Sequence, residues 1–456
     1  MTFSTALRTA ALAGIPLVCA GCASHAGSAP SGPVLPPALA GSGAHQVRAF
    51  GPSPAQGKIK HVVIVMEENR SFNYLFEGYP GAMTASHGRN SHGEDVKLAA
   101  VSLAAPYEID HELRSFLEAC DGKPPGQNCK MDGFDKEYVG GSYGANPEYA
   151  YAPHAETRLY WRMAKEYVLG DDMHTSHIDA SFVSHQYIIA GQAASEVNLP
   201  TSYWGCEGGV SGDSVETITQ ERKIGPSQNP CQNYQTLGDE LDAAGLPWRF
   251  YAAPISDIGY IWSAYQAVKH IYDGKDWKND VITPPARFLS DVGAGTLGAV
   301  TWVLPTWDTS DHPGNGSTSG PQWVASVVNA VGESTFWDST AVFVFWDEWG
   351  GWFDPGPPPY EDYDGLGFRV GLLVISPYAK KNYVSHVQYE HGSMLRFAED
   401  AFGLGQLSAS DARANDPAVD CFDFSQKPRA FRPFATGLPP HYFERLPVSH
   451  HVVDEE

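Results

Sequence analysis

The segment 60–72 constrains the fold most, because an unbroken apolar run ends abruptly in polar side chains. Residues 61–66 have the pattern of a strand buried on both faces, which is typical of parallel sheets. Glu67, Glu68 and Asn69 follow directly. Open α/β sheets bind ligands beyond the carboxyl ends of their strands, so Glu68 and Asn69 are predicted to lie at a binding site. Glu67 is interpreted as a solvated or supporting neighbour.

Apolar runs and helical repeats alternate along the rest of the chain. Four further runs have the length of buried strands, namely Trp248–Tyr251, 300–304, 341–346 and 370–375. Helical periodicity is found at 323–331, at 237–244 before Gly245, and after Ser393. This alternation predicts a doubly wound α/β fold. The aromatic, glycine-rich segments 108–160 and 202–230 are predicted to be long loops over the carboxyl edge of the sheet.

The charge balance argues against nucleic acid as a partner. The chain has 456 residues and a formal net charge of −23. It therefore has no surplus of lysine and arginine to neutralise a phosphate backbone. With 43% hydrophobic residues it can bury a large core, so disorder is not expected.

The first 22 residues have the pattern of an export signal. Arg8 precedes an apolar stretch at 10–18, and the following Cys-Ala-Gly-Cys ending at Cys22 resembles a bacterial lipoprotein box. Lipidation of Cys22 and plain cleavage near Ala23 or Ala26 are both left open. In either case we expect an exported protein, which is periplasmic, secreted or an outer-membrane-anchored lipoprotein, and which meets a membrane only through this lipid anchor. A flexible linker at 23–57 and a single domain at 58–456 are expected to follow.

The cysteines beyond the signal agree with export to an oxidising compartment. Cys120 with Cys129, and Cys206 with Cys231, are near enough in sequence to close short disulfide loops. Cys421 is left over and is expected to be a buried free thiol.

A second strand also ends in carboxylates. The run 343–346 is followed by Asp347 and Glu348, and then by Gly350 and Gly351, which would let the backbone approach a ligand closely. Two strands that deliver acidic pairs to the same edge favour a cage of oxygen ligands. Such a cage, built from Glu68, Asn69, Asp347 and Glu348, would bind a divalent cation, with Mg, Ca, Mn, Zn and Fe all left open.

A third group of residues surrounds Ser181, where a loop is predicted to become a helix. The amino end of a helix favours an anion, and it would lower the pKa of the Ser181 hydroxyl. Ser176 and Ser184 are open alternatives, because serine is also a common helix cap.

Several of these motifs, taken in order, resemble the bacterial phosphoesterase family that contains phospholipases C and a class of acid phosphatases. The similarity covers residues 58–405 and rests on four segments: 68–72, 181–192, 346–359 and 367–378.

The resemblance implies a three-layer α/β/α alkaline-phosphatase-like fold with a largely parallel central sheet. It implies that Ser181 attacks phosphorus, while Glu68, Asn69, Asp347 and Glu348 hold the metal that activates it. It also implies that His111, His312 and His391 are candidates to donate protons to phosphate or to the leaving oxygen.

The chain departs from the family pattern at two positions, where Asn73 replaces the usual Asp and Pro355 replaces the usual His. These changes affect groups expected to orient the metal ligands rather than the ligands themselves.

The predicted activity is therefore metal-dependent hydrolysis of a small phosphate ester through a phosphoserine intermediate, as in acid phosphatases. The short segment after Gly405 favours that branch over phospholipase C action on phospholipid head groups. A surface protein that binds metal or lipid without turnover is the alternative from another class. A sulfatase is disfavoured because no Cys/Ser-x-Pro-x-Arg run surrounds Ser181.

Overall fold

A computed structural model describes residues 52–202, 204–207 and 213–450. Residues 51–456 form one compact unit. The predicted export signal and the linker up to residue 51 lie outside the described residues. Ala55, near the end of the predicted linker, is fully buried in the core.

An eight-stranded sheet forms the centre of the protein, with strand order β12-β11-β13-β1-β14-β15-β8-β16. Seven of these strands are parallel and β15 is antiparallel to its two neighbours. Four two-stranded ribbons complete the described strands. In chain order the strands are β1 His61–Glu67, β2 His87–Arg89, β3 Asp95–Lys97, β4 Ala99–Ala100, β5 Tyr107–Ile109, β6 Val139–Gly141, β7 Ala150–Tyr151, β8 Val168–His174, β9 Glu196–Val197, β10 Glu216–Thr217, β11 Trp248–Tyr251, β12 Val281–Ile282, β13 Val300–Val303, β14 Thr340–Trp346, β15 Arg369–Ile375 and β16 Tyr383–Ser385.

Helices cover both faces of the sheet. Tyr160 of α3 meets Trp346 on one face, with ring centroids 4.9 Å apart, and Phe397 of α10 meets Phe343 on the other at 4.8 Å. The described helices are α1 Phe72–Phe76, α2 Leu113–Cys120, α3 His154–Glu166, α4 Ser181–Ala190, α5 Leu237–Ala244, α6 Lys269–Tyr272, α7 Lys275–Asn279, α8 Arg287–Gly293, α9 Gly320–Gly332, α10 His391–Phe402, α11 Ala409–Arg413, α12 Pro417–Asp420 and α13 Pro440–Phe443. The predicted layered α/β fold with a largely parallel sheet is confirmed.

The predicted strands and helices are all present, with small shifts at their ends. Helix α5 ends at Gly245, which has the left-handed φ of 70°, as the sequence indicates. Helix α10 starts earlier than predicted, at His391, because Glu390 forms a capping box with Ser393. The sequence pattern missed β8, because Gly170, Asp171 and Asp172 interrupt its apolar run.

Both predicted disulfides, Cys120–Cys129 and Cys206–Cys231, are formed. Cys421 is a buried free thiol, also as predicted. Among the described residues, no helix combines the length and the apolar character needed to cross a membrane.

The two departures from the family pattern lie beside a buried ion pair. Asp354 accepts hydrogen bonds from Arg369 Nε at 2.7 Å and from the Asn73 backbone N–H at 3.0 Å. The Asn73 side chain bonds to both backbone groups of Ala85 rather than turning toward the predicted cage. Asn73 therefore has a structural role in holding this loop.

We expect Asp354→Ala to lower the free energy of unfolding by about 3–5 kcal/mol, because it leaves the buried Arg369 guanidinium without a carboxylate. Urea denaturation measures this loss. Arg114→Ala, which removes an exposed ion pair with Glu118, is the control and should change stability little. An Asp354→Ala variant as stable as the wild type would show that the Asp354–Arg369 ion pair does not stabilise the fold.

Three carboxylates meet where α5, α10 and α11 pack together. Glu399 is 1% exposed, and neither of its carboxylate oxygens meets an N–H or O–H donor among the described residues. Burial, followed by the charges of Asp411 and Glu240, raises the pKa of Glu399 to about 10. The folded protein therefore keeps a proton on Glu399 at neutral pH.

This proton makes stability depend on pH. As the pH rises above about 4.5, the unfolded chain releases the Glu399 proton and the folded protein does not. The free energy of unfolding should therefore fall by up to about 1.4 kcal/mol per pH unit until the pH approaches the folded-state pKa. Glu399→Gln should flatten this decline in denaturation experiments over neutral to alkaline pH, whereas the exposed Glu333→Gln should not. A decline with the same slope in Glu399→Gln as in the wild type would argue against a protonated Glu399.

Candidate active site

The ends of β1 and β14 form the base of the candidate site. The two strands are parallel neighbours, and Glu67 is paired with Trp346 at their last position. The next residues of each strand therefore emerge side by side. The Asn69 backbone N–H donates to Asp347 Oδ1 at 2.7 Å, and Asn69 adopts a left-handed φ of 55°. These contacts bring together the two acidic segments that the sequence predicts to meet.

The glycines after Glu348 serve this close packing. Gly350 and Gly351 have φ values of 62° and 71°, which residues with a Cβ rarely adopt. A Cβ at position 350 would overlap the Asn69 carbonyl oxygen, and one at position 351 would overlap the Ile109 side chain. The glycines thus let the backbone pack closely against Asn69 and Ile109.

Glu68, Asp347 and His185 form a group with the composition of a metal site. One ligand atom from each of the three lies within 4.8 Å of the others, and all three residues are buried. His185 Nε2 is 3.0 Å from Glu68 Oε1. Glu68 Oε2, Asp347 Oδ2 and His185 Nδ1 have no hydrogen-bond partner among the described residues. Buried polar atoms without partners are costly, so these residues fit a bound cation.

Burial sets the protonation of this group. It raises the pKa of Glu68 and of Asp347 well above the usual range, and the charges of neighbouring carboxylates raise both further. Burial also lowers the pKa of His185 to about 4. Without a cation, burial therefore disfavours the ionised forms of Glu68 and Asp347. It keeps the His185 imidazole neutral, which is the form that binds metals.

Ser181 is the first residue of α4, directly beside the metal group. Its hydroxyl donates to Asn69 Oδ1 at 3.4 Å. All ten residues of α4 are buried, so tertiary packing fixes the direction of this helix. The predicted loop-to-helix position of Ser181 is confirmed. Ser184, one of the two alternatives, donates instead to the Asp347 carbonyl oxygen at 2.6 Å.

His111 lies on the other side of Asn69. Its Nε2 is 3.0 Å from Asn69 Nδ2 and 3.6 Å from Glu348 Oε1, while its Nδ1 is 2.8 Å from the Ile109 carbonyl oxygen. Burial lowers the pKa of His111, but the Glu348 charge and the Ile109 carbonyl outweigh burial and raise it overall. Of the four predicted metal ligands, Asn69 and Glu348 thus face His111, while Glu68 and Asp347 face His185.

The other two predicted histidines have different surroundings. His312 stacks against Trp307 at a centroid distance of 4.5 Å, and its Nδ1 is 2.6 Å from the Pro313 carbonyl oxygen. His391 is fully buried under β14, where its Nε2 is 3.3 Å from the Trp346 carbonyl oxygen. Burial lowers the pKa of both histidines to about 3. His391 therefore supports the strand that carries Asp347.

Asp311 links the segments that carry the site. Its Oδ2 accepts from Trp346 Nε1 at 3.0 Å and from the Tyr160 hydroxyl at 2.8 Å. Its backbone carbonyl accepts from Arg70 Nε at 2.7 Å. One residue thus fixes the loop that carries His312 against the ends of both β1 and β14.

Glu67 is fully buried, so the interpretation of a solvated side chain is wrong. Gly320 is the first residue of α9. Glu67 Oε2 and Asp311 Oδ1 both lie next to the place where a Cβ on Gly320 would be. Neither carboxylate oxygen of Glu67 has a hydrogen-bond partner among the described residues. Helix α9 covers this face of the sheet, which the pattern of β1 alone did not show.

The sequence prediction missed His185 as a member of the metal group. Its spacing from Ser181 contained a usable signal, because residues i and i+4 lie on the same face of a helix. His177 was also missed. Its Nε2 is 2.7 Å from Ser184 Oγ, and that hydroxyl bonds to the Asp347 carbonyl, so His177 helps to hold α4 against β14.

Several proteins similar to this chain are phospholipases C. Phospholipase C B from Mycobacterium tuberculosis is 26% identical over 449 residues, covering 85% of this chain and 82% of that one. Non-hemolytic phospholipase C from Pseudomonas aeruginosa is 26% identical, covering 78% of this chain and 55% of that one. Non-specific phospholipase C1 from Arabidopsis thaliana is 24% identical, covering 77% and 68% respectively.

Among solved structures, a protein in the alkaline phosphatase superfamily from Vibrio parahaemolyticus is similar, with a TM-score of 0.37 and 10% identity over 78% of this chain and 69% of that one. Residues 59–405 match the Phosphoesterase family, and this range includes every residue of the candidate site described above. The chain belongs to the phosphoesterase family and is a hydrolase that acts on phosphoric ester bonds.

Proposed function

We propose that this protein is an exported, metal-dependent phospholipase C that acts through a phosphoserine intermediate. The observation that carries the proposal is the convergence of Ser181, Asn69 and the group of Glu68, His185 and Asp347 at one sheet edge. The phospholipase C names of the relatives support the choice of substrate.

Ser181 is the nucleophile in this proposal. Its Oγ attacks phosphorus, the bond from phosphorus to the glycerol oxygen breaks, and water later cleaves the phosphoserine. Asn69 Oδ1 accepts a hydrogen bond from the Ser181 hydroxyl, with 3.4 Å between the two oxygen atoms, and so orients Oγ before the attack. The start of α4 adds partial positive charge close to the phosphate that is transferred.

Glu68, His185 and Asp347 would hold the divalent cation, with Asn69 and Glu348 at its edge. When bound, the cation would supply the positive charge that this acidic site needs to receive a phosphate and to lower the pKa of the Ser181 hydroxyl. Their nitrogen and oxygen atoms suit several metals, including Zn, Fe and Mn.

His111 would donate to a phosphate oxygen or protonate the departing oxygen. Glu348 and the Ile109 carbonyl favour its protonated form, as that task requires. His312 would have a supporting role, because its ring packs against Trp307 and Trp262 and burial lowers its pKa to about 3. His391 would act indirectly through the backbone of β14.

Hydrolysis of a phosphomonoester, as in acid phosphatases, is the second candidate. The short segment after Gly405 supports acid phosphatase action only weakly, because the match to Phospholipase C B covers 82% of that protein. A parallel assay of phosphatidylcholine and an aryl phosphate separates the two candidates. If the protein hydrolyses neither substrate with any of the metals named above, it is better explained as a surface protein that binds metal or lipid without turnover.

Ser181→Ala should abolish hydrolysis of both substrates while leaving the fold intact, because it removes the nucleophile and only a small buried side chain. Loss of at least about 10³-fold in kcat is expected from the magnitudes seen when nucleophiles are removed. Steady-state kinetics and circular dichroism measure the two properties. The exposed Ser290→Ala is the matched control. Full activity of Ser181→Ala would exclude Ser181 as the nucleophile.

His185→Ala should lower the metal content of the purified protein, because it removes one of three ligands in the group. Elemental analysis measures the metal stoichiometry independently of activity. His270→Ala, which removes an exposed histidine that bonds to Asp239 and Asn233, should keep the wild-type stoichiometry. An unchanged metal content in His185→Ala would place the cation elsewhere, for example against Asn69 and Glu348.

A further inference from the structure

Exposed lysines and arginines gather at the edge of the sheet that is opposite to the candidate active site. The strands β1, β8, β14 and β16 begin at this edge and the antiparallel β15 ends there. Ser181, by contrast, follows the other end of β8. We call the exposed part of this edge the amino-edge surface, and its exposed cations are Lys58, Lys60, Lys165, Lys381, Lys427 and Arg432.

Contacts between distant parts of the chain bring these cations together. Lys58 Nζ lies 5.9 Å from the centre of the Tyr378 ring, in the loop that also carries Lys381. The Arg429 backbone N–H donates to the Pro377 carbonyl oxygen at 3.1 Å, in the same loop. Arg429 Nη1 donates to the carbonyl oxygen of Glu166, the residue after Lys165, at 3.3 Å. The segments that carry the six cations are therefore neighbours in space.

The charge of this surface is opposite to that of the whole chain, which has 53 acidic residues against 30 lysines and arginines. The carboxylates at the same edge are fewer than the six cations, namely Glu166, Glu333, Asp338 and Asp423. Among the described residues, Lys381 alone of the six forms an ion pair, with Glu166 at 3.2 Å. The amino-edge surface therefore presents unpaired positive charge to an approaching anion.

The expected linker joins the folded domain at this same surface. Residues 52–60 connect it to β1, and the Lys60 backbone N–H donates to the Ser339 carbonyl oxygen, just before β14, at 2.8 Å. Cys22, where lipidation is left open, lies at the far end of that linker. A tether attached here would hold the amino-edge surface, rather than the active site, next to a membrane. Basic side chains in that position are attracted to anionic lipids.

We propose that the amino-edge surface docks on a membrane that contains anionic phospholipid. Lys58, Lys60 and Lys427 meet the lipid phosphates, and Ser181 then faces away from that membrane. The catalytic centre is thereby directed toward substrates that do not belong to the docking membrane. This last consequence rests on the proposed function, whereas the docking itself does not.

Co-sedimentation with lipid vesicles tests the docking. The full-length protein carries Cys22→Ser and Ser181→Ala, so that neither a lipid chain nor turnover affects the result. Vesicles of mixed phosphatidylglycerol and phosphatidylcholine should bind it at least about tenfold more tightly than vesicles of phosphatidylcholine alone, and added salt should reduce this difference. An amino-edge triple variant should lose at least about tenfold in affinity for the mixed vesicles. It combines Lys58→Gln, Lys60→Gln and Lys427→Gln. A control triple variant changes the net charge equally at exposed lysines outside this surface and should bind as before; it combines Lys97→Gln, Lys123→Gln and Lys223→Gln.

Equal binding to the two kinds of vesicle, or the same loss in both triple variants, would overturn the proposal. A DNA duplex that binds as tightly as the mixed vesicles would also overturn it, because the surface would then attract any polyanion. With Ser181 restored, the amino-edge variant should hydrolyse 4-nitrophenyl phosphate at the wild-type rate, since its changes lie at the opposite edge of the sheet. A lower rate would contradict that separation. Vesicle docking by a wild-type protein that hydrolyses no phosphate ester would refute the proposed function and keep the docking surface.

Discussion

The parallel pairing of β1 with β14 is the constraint on which the site depends. Each strand ends in a polar pair, and the register that places Glu67 opposite Trp346 makes both pairs emerge at the same level. Both strands are buried on both faces, so close packing against the helices that cover the sheet also holds this register. The hydrogen bond from the Asn69 backbone to Asp347 then connects the two chain segments after they leave the sheet.

This arrangement concentrates negative charge where water is excluded. Glu67, Glu68, Asp347, Glu348 and Asp311 are all buried near the ends of two strands. Arg70 and His111 offset part of this charge, but both are held by backbone carbonyls rather than placed inside the group. Burial of carboxylates is costly, and the raised pKa values of Glu67, Glu68 and Asp347 express that cost. A divalent cation would relieve it, so folding and metal binding are expected to be coupled.

The sequence predicted the strands that carry the site, because their apolar runs are long and uninterrupted. It also placed Glu68, Asn69, Asp347 and Ser181 at one edge, since the carboxyl ends of parallel strands share an edge by geometry. It could not predict which side chains turn toward one another. His185 lies beside Glu68 and Asp347, Glu348 lies beside His111, and Glu67 is buried, because these outcomes depend on how α4 and α9 pack on the sheet. Tertiary contacts of this kind leave no periodic signal.

The strand ends and the loops of the site differ in how firmly their residues are held. Groups on the strand ends are held by sheet hydrogen bonds, so their positions tolerate little change. The 3-10 helix Ile258–Trp262 is different, because it lies outside the sheet and supports His185 through the ring of Trp262, whose centroid is 6.4 Å from that of His185. Trp262 therefore couples the packing of this turn to the position of His185, one of the three residues in the metal group.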